Sequence, residues 1–321
     1  MTPTQNWIGL ESMPRWLIAA TGVNLVACLS ALYLSHGTGL GLALEAPSDG
    51  TGTLSATGMA ALELWLSMLV LRSFRAGAPL RPAWLLIALS AASRMASGVL
   101  AQVLGSRWLL NPLAWTGGSD PGRLEAIRHW ALVLGGPVQM AFLSAGLFVA
   151  LRTLRKFGFW VRPSATDWAV AGMAGLFMLC RLGETAAALL GGTPIQAGDL
   201  IALSGCPVLC VLFLEAMLLR QSVTRMGHGL VAKCWGAFAV AIFMTGFAEA
   251  AVWVIGHYSA EWPLAVVQCC GWFPGAAAFA LAPAYQVAAL CRATRPAAQQ
   301  LSGFLDGGFP EPHFGAAPAA R

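Results

Sequence analysis

Residues 83–105, with the sequence AWLLIALSAASRMASGVLAQVLG, show in one stretch how this chain folds. The stretch opens beside Trp84, closes at Gly105 and contains one charged residue, Arg94. An α-helix needs about 20 consecutive apolar residues to cross the hydrocarbon core of a bilayer. The stretch is therefore predicted to form a transmembrane helix.

The same pattern occurs four times along the chain. A tryptophan opens each of four nearly uncharged runs, and a glycine closes each run 21 to 23 residues later. The openers are Trp16, Trp84, Trp168 and Trp235, and the closers are Gly37, Gly105, Gly191 and Gly256. Four further apolar runs alternate with these and end at Arg72, Arg152, Arg220 and Arg292. The predicted spans are residues 16–36, 54–71, 83–105, 131–151, 168–190, 199–219, 234–256 and 264–290. The pattern predicts an all-α integral membrane protein whose eight transmembrane helices form repeated helix hairpins.

The composition agrees with a membrane protein. Hydrophobic residues make up 57% of the 321 residues, charged residues make up 10%, and the mean hydropathy is +0.68. A soluble domain carries about 25% charged residues. The predicted eight-span domain fills residues 1–295 and leaves no room for a soluble catalytic domain. Residues 296–321 are rich in Ala, Gly and Pro and are predicted to form a disordered cytoplasmic tail.

The basic residues predict the orientation. They concentrate in alternate connections, at Arg72, Arg75, Arg81, Arg152, Arg155, Lys156, Arg162, Arg220, Arg225, Arg292 and Arg295. The connections 37–53, 191–198 and 257–263 contain no Lys or Arg. The positive-inside rule therefore predicts a multi-pass protein of the cell inner membrane with both termini in the cytoplasm. Because the net charge of +5 mainly reflects this topology, a nucleic-acid partner is not expected.

Five charged residues inside the predicted spans form the candidate site. Glu184 and Glu249 each stand seven residues before a closing glycine, about 10 Å below the outer end of their helices. Arg181 lies one turn deeper than Glu184 on the same helix face. Arg94 and Glu63 lie near the midplane. A charge inside a bilayer needs a partner or water, so we expect Arg94 to pair with Glu63, and Arg181 with Glu184 and Glu249.

Prolines interrupt three of the four even-numbered spans. Pro137, Pro207 and Pro274 each follow a glycine at a similar depth, and proline removes a backbone donor from the helix. These predicted breaks and the charges converge on the outer half of the membrane. The convergence indicates a cavity that binds a small or lipophilic ligand. The alternative is a set of packing kinks and charge pairs that fix the helix register.

Three histidines lie at the predicted outer ends of spans, at His36, His129 and His257. Three converging imidazoles could bind zinc or copper. The sequence places them only at the same height, and interfacial histidine is ordinary. We therefore expect neither a metal nor any other cofactor.

Three classes of function fit these features. A sensor-type or accessory module fits the short loops and the absence of catalytic motifs; it would bind membrane lipids, a lipophilic ligand and a partner membrane or cytoplasmic protein. A secondary transporter of a small solute fits the repeats, broken helices and midplane charges. An intramembrane enzyme would use Glu184 or Glu249 as acid or base. The sensor-type module is the preferred interpretation.

Overall fold

A computed structural model of the chain describes residues 10–37, 51–105, 121–159, 162–192, 197–225, 229–256 and 268–305. These residues form eight long α-helices and no sheet. In chain order they are α1 (Met13–Gly37), α2 (Thr51–Ser73), α3 (Arg81–Gly105), α4 (Pro121–Lys156), α5 (Ala165–Leu190), α6 (Ala197–Arg225), α7 (Leu230–Gly256) and α8 (Phe273–Leu305). A short 3-10 turn (Leu10–Ser12) precedes α1, and a π-helical turn (Gln268–Trp272) leads into α8.

Five of the described helices are long and apolar enough to cross a membrane. The qualifying segments lie in α3, α4, α5, α7 and α8, and are Arg81–Leu100, Gly135–Lys156, Ala165–Ala188, Leu230–Ala248 and Cys270–Ala293. The prediction of an all-α, multi-pass membrane protein is therefore confirmed at this level. That α1, α2 and α6 also cross the membrane stays a prediction.

The helix boundaries differ most from the predicted spans in α4 and α8. Helix α4 begins at Pro121, inside the stretch expected to be a loop before residue 131. Proline is accommodated at the first position of a helix because its missing N–H has no partner there. Helix α8 begins at Phe273, not at residue 264, and continues to Leu305, within the predicted tail 296–321. Residues 306–321 lie outside the described part of the chain.

The prolines do not break the even-numbered helices as expected. Helix α4 runs continuously through Pro137 and α6 through Pro207. One proline removes a single intrahelical hydrogen bond, and neighbouring helices can compensate for this loss in a membrane bundle. Only Pro274 lies at an interruption, because it occupies the first turn of α8 directly after the π-helical turn.

Six helices pack into a closed ring. Going round the ring, α2 packs against α3, α3 against α4, α4 against α6, α6 against α7, α7 against α8, and α8 against α2. The packing of α2, α3 and α4 is thus repeated by α6, α7 and α8. Helix α1 packs on the outside against α8, and α5 packs on the outside against α6. The ring therefore consists of two repeats of three helices, and the peripheral helices α1 and α5 do not follow this repeat.

The opening tryptophans divide in the same way. Trp84 of α3 and Trp235 of α7 are 0% and 1% exposed, and their ring centroids lie 5.7 Å apart inside the ring. Trp16 of α1 and Trp168 of α5 are 71% and 63% exposed. Phe238 of α7 packs against both buried tryptophans and fills the space between the two repeats. One sequence pattern thus marks two helices of the core and two of the periphery.

A glycine allows α8 to approach α7 closely. A Cβ atom added to Gly271 would lie 2.4 Å from the Cβ of Ala248 and 3.3 Å from the carbonyl oxygen of Met244. Small residues at helix interfaces permit this backbone approach in membrane proteins. The contact fixes the π-helical turn at the start of α8 against α7.

We call the end of the bundle that carries Arg72, Arg81, Arg220, Lys233 and Arg292 the basic end. Three contacts tie chain segments together there. The Thr153 hydroxyl of α4 donates to the Pro79 carbonyl at 3.4 Å, and Gln221 of α6 donates to the Ser164 hydroxyl at 3.2 Å. Arg292 of α8 donates to Glu11 at 2.8 Å and holds the start of α1.

Candidate ligand-binding groove and buried charge pairs

Arg94 and Glu63 form an ion pair inside the ring. The guanidinium of Arg94 on α3 donates to the carboxylate of Glu63 on α2, whose side chain is 2% exposed. The same guanidinium lies 5.0 Å from the ring centroid of Phe279 on α8, at cation–π distance. Arg94 therefore connects three neighbouring helices of the ring. An arginine side chain stays charged in a protein, so a guanidinium inside the ring needs a carboxylate partner.

A second ion pair lies on the peripheral helix α5. Arg181 donates to Glu184 at 3.3 Å, and both side chains are partly exposed. Glu249 belongs to α7, and its side chain lies outside the described residues. A shared pocket of Arg181, Glu184 and Glu249 therefore stays a prediction.

The three histidines also stay untested. His36 is part of α1 and His129 part of α4, but their side chains lie outside the described residues, as does all of His257. Among the residues that the structure does describe, no group of three His, Cys, Asp or Glu side chains could hold a metal ion.

Within the described part of the chain, a groove opens at the basic end. It has a volume of about 850 Å³ and lies between α5 and α6 on one side and α7 and α8 on the other. We call it the lateral groove, and its lining residues are Thr166, Val170, Phe213, Ala216, Met217, Arg220, Lys233, Gly236, Ala237, Ala239, Val240, Phe243, Met244, Ala278, Leu281 and Tyr285. Most of these side chains are apolar. The expected cavity was at the opposite end of the bundle, where many side chains are outside the described part of the chain.

The floor of the lateral groove is one face of α7. Lys233, Gly236, Val240 and Phe243 follow one another at helical spacing along this face. About half of the Val240 and Phe243 side chains is exposed, so the groove is open towards the surrounding bilayer. The opposite face of α7, which contains Trp235, is buried in the ring.

Gly236 leaves part of the groove floor without a side chain. Gly236 and Ala237 directly follow Trp235, whereas Leu85 and Leu86 directly follow the matching Trp84 of α3. A Cβ atom added to Gly236 would have no atom within 4 Å. Leu85 of the first repeat thus has a side chain at the position where Gly236 of the second repeat leaves open space.

Two cations flank the mouth of the groove. Arg220 lies near the end of α6 and Lys233 in the first turn of α7, and both side chains are exposed. Lys233 and Phe243 are ten residues apart on α7, which corresponds to about 15 Å of helix. Half the hydrocarbon thickness of a bilayer is also about 15 Å. The groove therefore joins a cationic mouth to an apolar channel one leaflet deep.

A polar clasp holds α5 against α6 beside this mouth. The backbone N–H of Ser164 donates to the Asp167 carboxylate at 2.5 Å, and the Asp167 N–H donates to the Ser164 hydroxyl at 3.3 Å, which caps the start of α5. Gln221 of α6 donates to both Ser164 and Asp167. The clasp fixes the base of α5, the helix that forms one wall of the groove.

Sequence reasoning did not find the lateral groove. It used Arg220 only as a marker of orientation and did not consider Lys233 or Gly236. A usable signal was present in the residue after each opening tryptophan, which is Leu17, Leu85, Ala169 or Gly236. The glycine marks the one of these four positions without a side chain.

Comparison of the chain with protein-family models, curated protein sequences and solved structures finds no match.

Proposed function

We propose that this chain is a sensor-type membrane module that binds a lipophilic ligand in the lateral groove. The observation that carries the proposal is the open space over Gly236, in a groove whose counterpart position in the first repeat is Leu85. Ligand pockets typically have volumes of about 300–1,000 Å³ and mostly apolar linings with a few polar groups. The lateral groove, at about 850 Å³, meets this description.

The clasp offers a route from ligand to signal. Arg220 lines the groove and also lies close enough to Asp167 to attract its carboxylate. A ligand that engages Arg220 would compete with Asp167 and alter the position of α5, which packs on a single ring helix among the described contacts. Helix α5 would then pass the change to a partner protein on its exposed face.

The orientation belongs to the same proposal. With the basic end in the cytoplasm, as the positive-inside rule requires, the groove opens into the cytoplasmic leaflet of the inner membrane. The ligand would then come from that leaflet or from the cytoplasm.

A secondary transporter is the second candidate. The two repeats of ring helices favour it, because some transporters consist of parallel repeats around an axis along the membrane normal. At the basic end, however, the contact between Trp84 and Trp235 fills the ring between the repeats. A solute would need both tryptophans to separate. Flux of a solute into proteoliposomes, coupled to an ion gradient, would support this candidate instead.

An intramembrane enzyme has less support. The Glu63 carboxylate is engaged by Arg94, and Glu184 is engaged by Arg181. Neither pair lines the lateral groove.

The substitution Gly236→Leu tests the proposed function. Leucine projects into open space, so it should fill the groove without displacing another side chain. Mass spectrometry of protein purified in detergent should detect a stoichiometric lipophilic molecule on the wild type and a loss of at least about tenfold in the variant.

The matched control is Gly22→Leu on α1, where an added Cβ also meets no atom within 4 Å. It should retain the molecule at the wild-type level. Equal occupancy of Gly236→Leu and wild type would show that the groove is not the binding site.

A further inference from the structure

We propose that the ligand of the lateral groove is an anionic glycerophospholipid of the leaflet at the basic end, with its phosphate at Arg220 and Lys233. The inference rests on the proposed function and adds the chemical class of the ligand. Three features of the groove lead to it: its charge, its depth and its lateral opening.

The charge at the mouth selects an anion. Arg220 and Lys233 come from two different helices, so a single phosphate between them would be held from two sides. Thr166 supplies a hydroxyl at the same mouth. The nearby Asp167 carboxylate is bound by Ser164 and Gln221 inside the clasp and does not line the groove, so an anion at the mouth competes with it only for Arg220. Basic pockets between transmembrane helices at the cytoplasmic side are typical sites for anionic head groups.

The depth of the groove fits an acyl chain. From Lys233 to Phe243 the floor extends about 15 Å, and its walls are formed by apolar side chains such as Leu281 and Met217. A chain of one leaflet spans a similar distance. The head group and the chain of one lipid can therefore occupy the mouth and the channel together.

The lateral opening favours a membrane lipid over a soluble molecule. Val240 and Phe243 expose about half of their surface along the open side of the groove. A phospholipid can enter this opening from the bilayer without leaving its leaflet. A free fatty acid carries the same anionic and apolar chemistry and is the competing source.

The experiment titrates the delipidated full-length protein in a neutral detergent with palmitoyl-oleoyl phosphatidylglycerol or the corresponding phosphatidylcholine. Occupancy is read by native mass spectrometry. Each cation near a membrane surface contributes about fivefold to the binding of an anionic lipid. The wild type should therefore prefer phosphatidylglycerol by about thirtyfold, and Arg220→Gln or Lys233→Gln should each reduce this preference about fivefold. The double variant should bind both lipids equally.

The matched control is Arg72→Gln with Arg81→Gln, which removes two cations at the basic end from the first repeat, outside the groove lining. This control should keep the wild-type preference. Equal loss in the control and in the Arg220/Lys233 variant would show a general effect of surface charge and overturn the inference. Tighter binding of palmitate than of phosphatidylglycerol would overturn it too.

Gly236→Leu separates this inference from the proposed function. If Gly236→Leu abolishes lipid binding but the wild type and the charge variants bind both lipids equally, the groove binds a lipid without selecting its charge and only the lipid class is wrong. If Gly236→Leu binds phosphatidylglycerol as the wild type does, both proposals fail.

Discussion

Arg94 is a charged residue held by partners on two neighbouring helices. It binds Glu63 of α2 and stacks on Phe279 of α8, although it belongs to α3. A guanidinium is a permanent cation in proteins, whereas a carboxyl group that loses its partner can become neutral. The two members of the pair are therefore expected to differ in how much their removal destabilises the protein.

Replacing Glu63 by Gln should lower the free energy of unfolding by about 3–5 kcal/mol, because it leaves an uncompensated cation inside the ring. Arg94→Gln should cost less. The double variant should be more stable than Glu63→Gln alone. Thermal unfolding of the three variants in detergent measures these differences.

Arg181→Gln is the control for this comparison. Its ion pair with Glu184 is partly exposed, so its loss should cost no more than about 1 kcal/mol. A double variant less stable than Glu63→Gln would contradict the assigned pairing.

Residue chemistry made parts of these sites predictable. Matching depths in the predicted spans were enough to suggest that Arg94 and Glu63 are partners. The contact with Phe279 could not be predicted, because it depends on how α8 closes the ring next to α2 and α3. Lys233 and Arg220 become binding residues only because α5 packs on α6 and creates a wall beside them.

At the scale of helices, the tryptophan-to-glycine pattern identified α1, α3, α5 and α7 but not their different environments. Trp84 and Trp235 face the ring interior, whereas Trp16 and Trp168 are exposed. Local hydropathy does not separate core from peripheral helices, because lipid and a membrane-protein core are both apolar. The sequence pattern therefore predicts where helices lie but cannot distinguish a core helix from a peripheral one.

The packing of α8 against α7 is expected to depend on Gly271. In Gly271→Ala the new Cβ atom would lie 2.4 Å from the Cβ of Ala248 and 3.2 Å from its Cα, so α7 and α8 must move apart. Overpacking of this kind costs about 1–3 kcal/mol. The thermal unfolding temperature in detergent should fall accordingly.

Gly58→Ala on α2 is the matched control, since an added Cβ there meets no atom within 4 Å. It should unfold at the wild-type temperature or slightly above it. A Gly271→Ala variant as stable as this control would show that α7 and α8 are not in the close contact described.

At the scale of the whole molecule, the two repeats share the ring of helices but differ at the lateral groove. The ring helices repeat, and the aromatic cluster around Trp84 and Trp235 fills the space between the repeats at the basic end. The lateral groove breaks the repeat, because only the second repeat has Gly236 in its floor and α5 as a wall. We infer that the repeated part provides a stable ring and that the departure from the repeat provides the binding site.

The central claim is that a lipophilic ligand occupies the lateral groove, and cryo-electron microscopy of the protein in phosphatidylglycerol nanodiscs tests it most directly. The wild type should show an elongated density that begins between Arg220 and Lys233 and ends near Phe243. The same density should be absent from Gly236→Leu. A wild-type groove filled by the protein's own side chains, or a density that persists unchanged in Gly236→Leu, would contradict the claim.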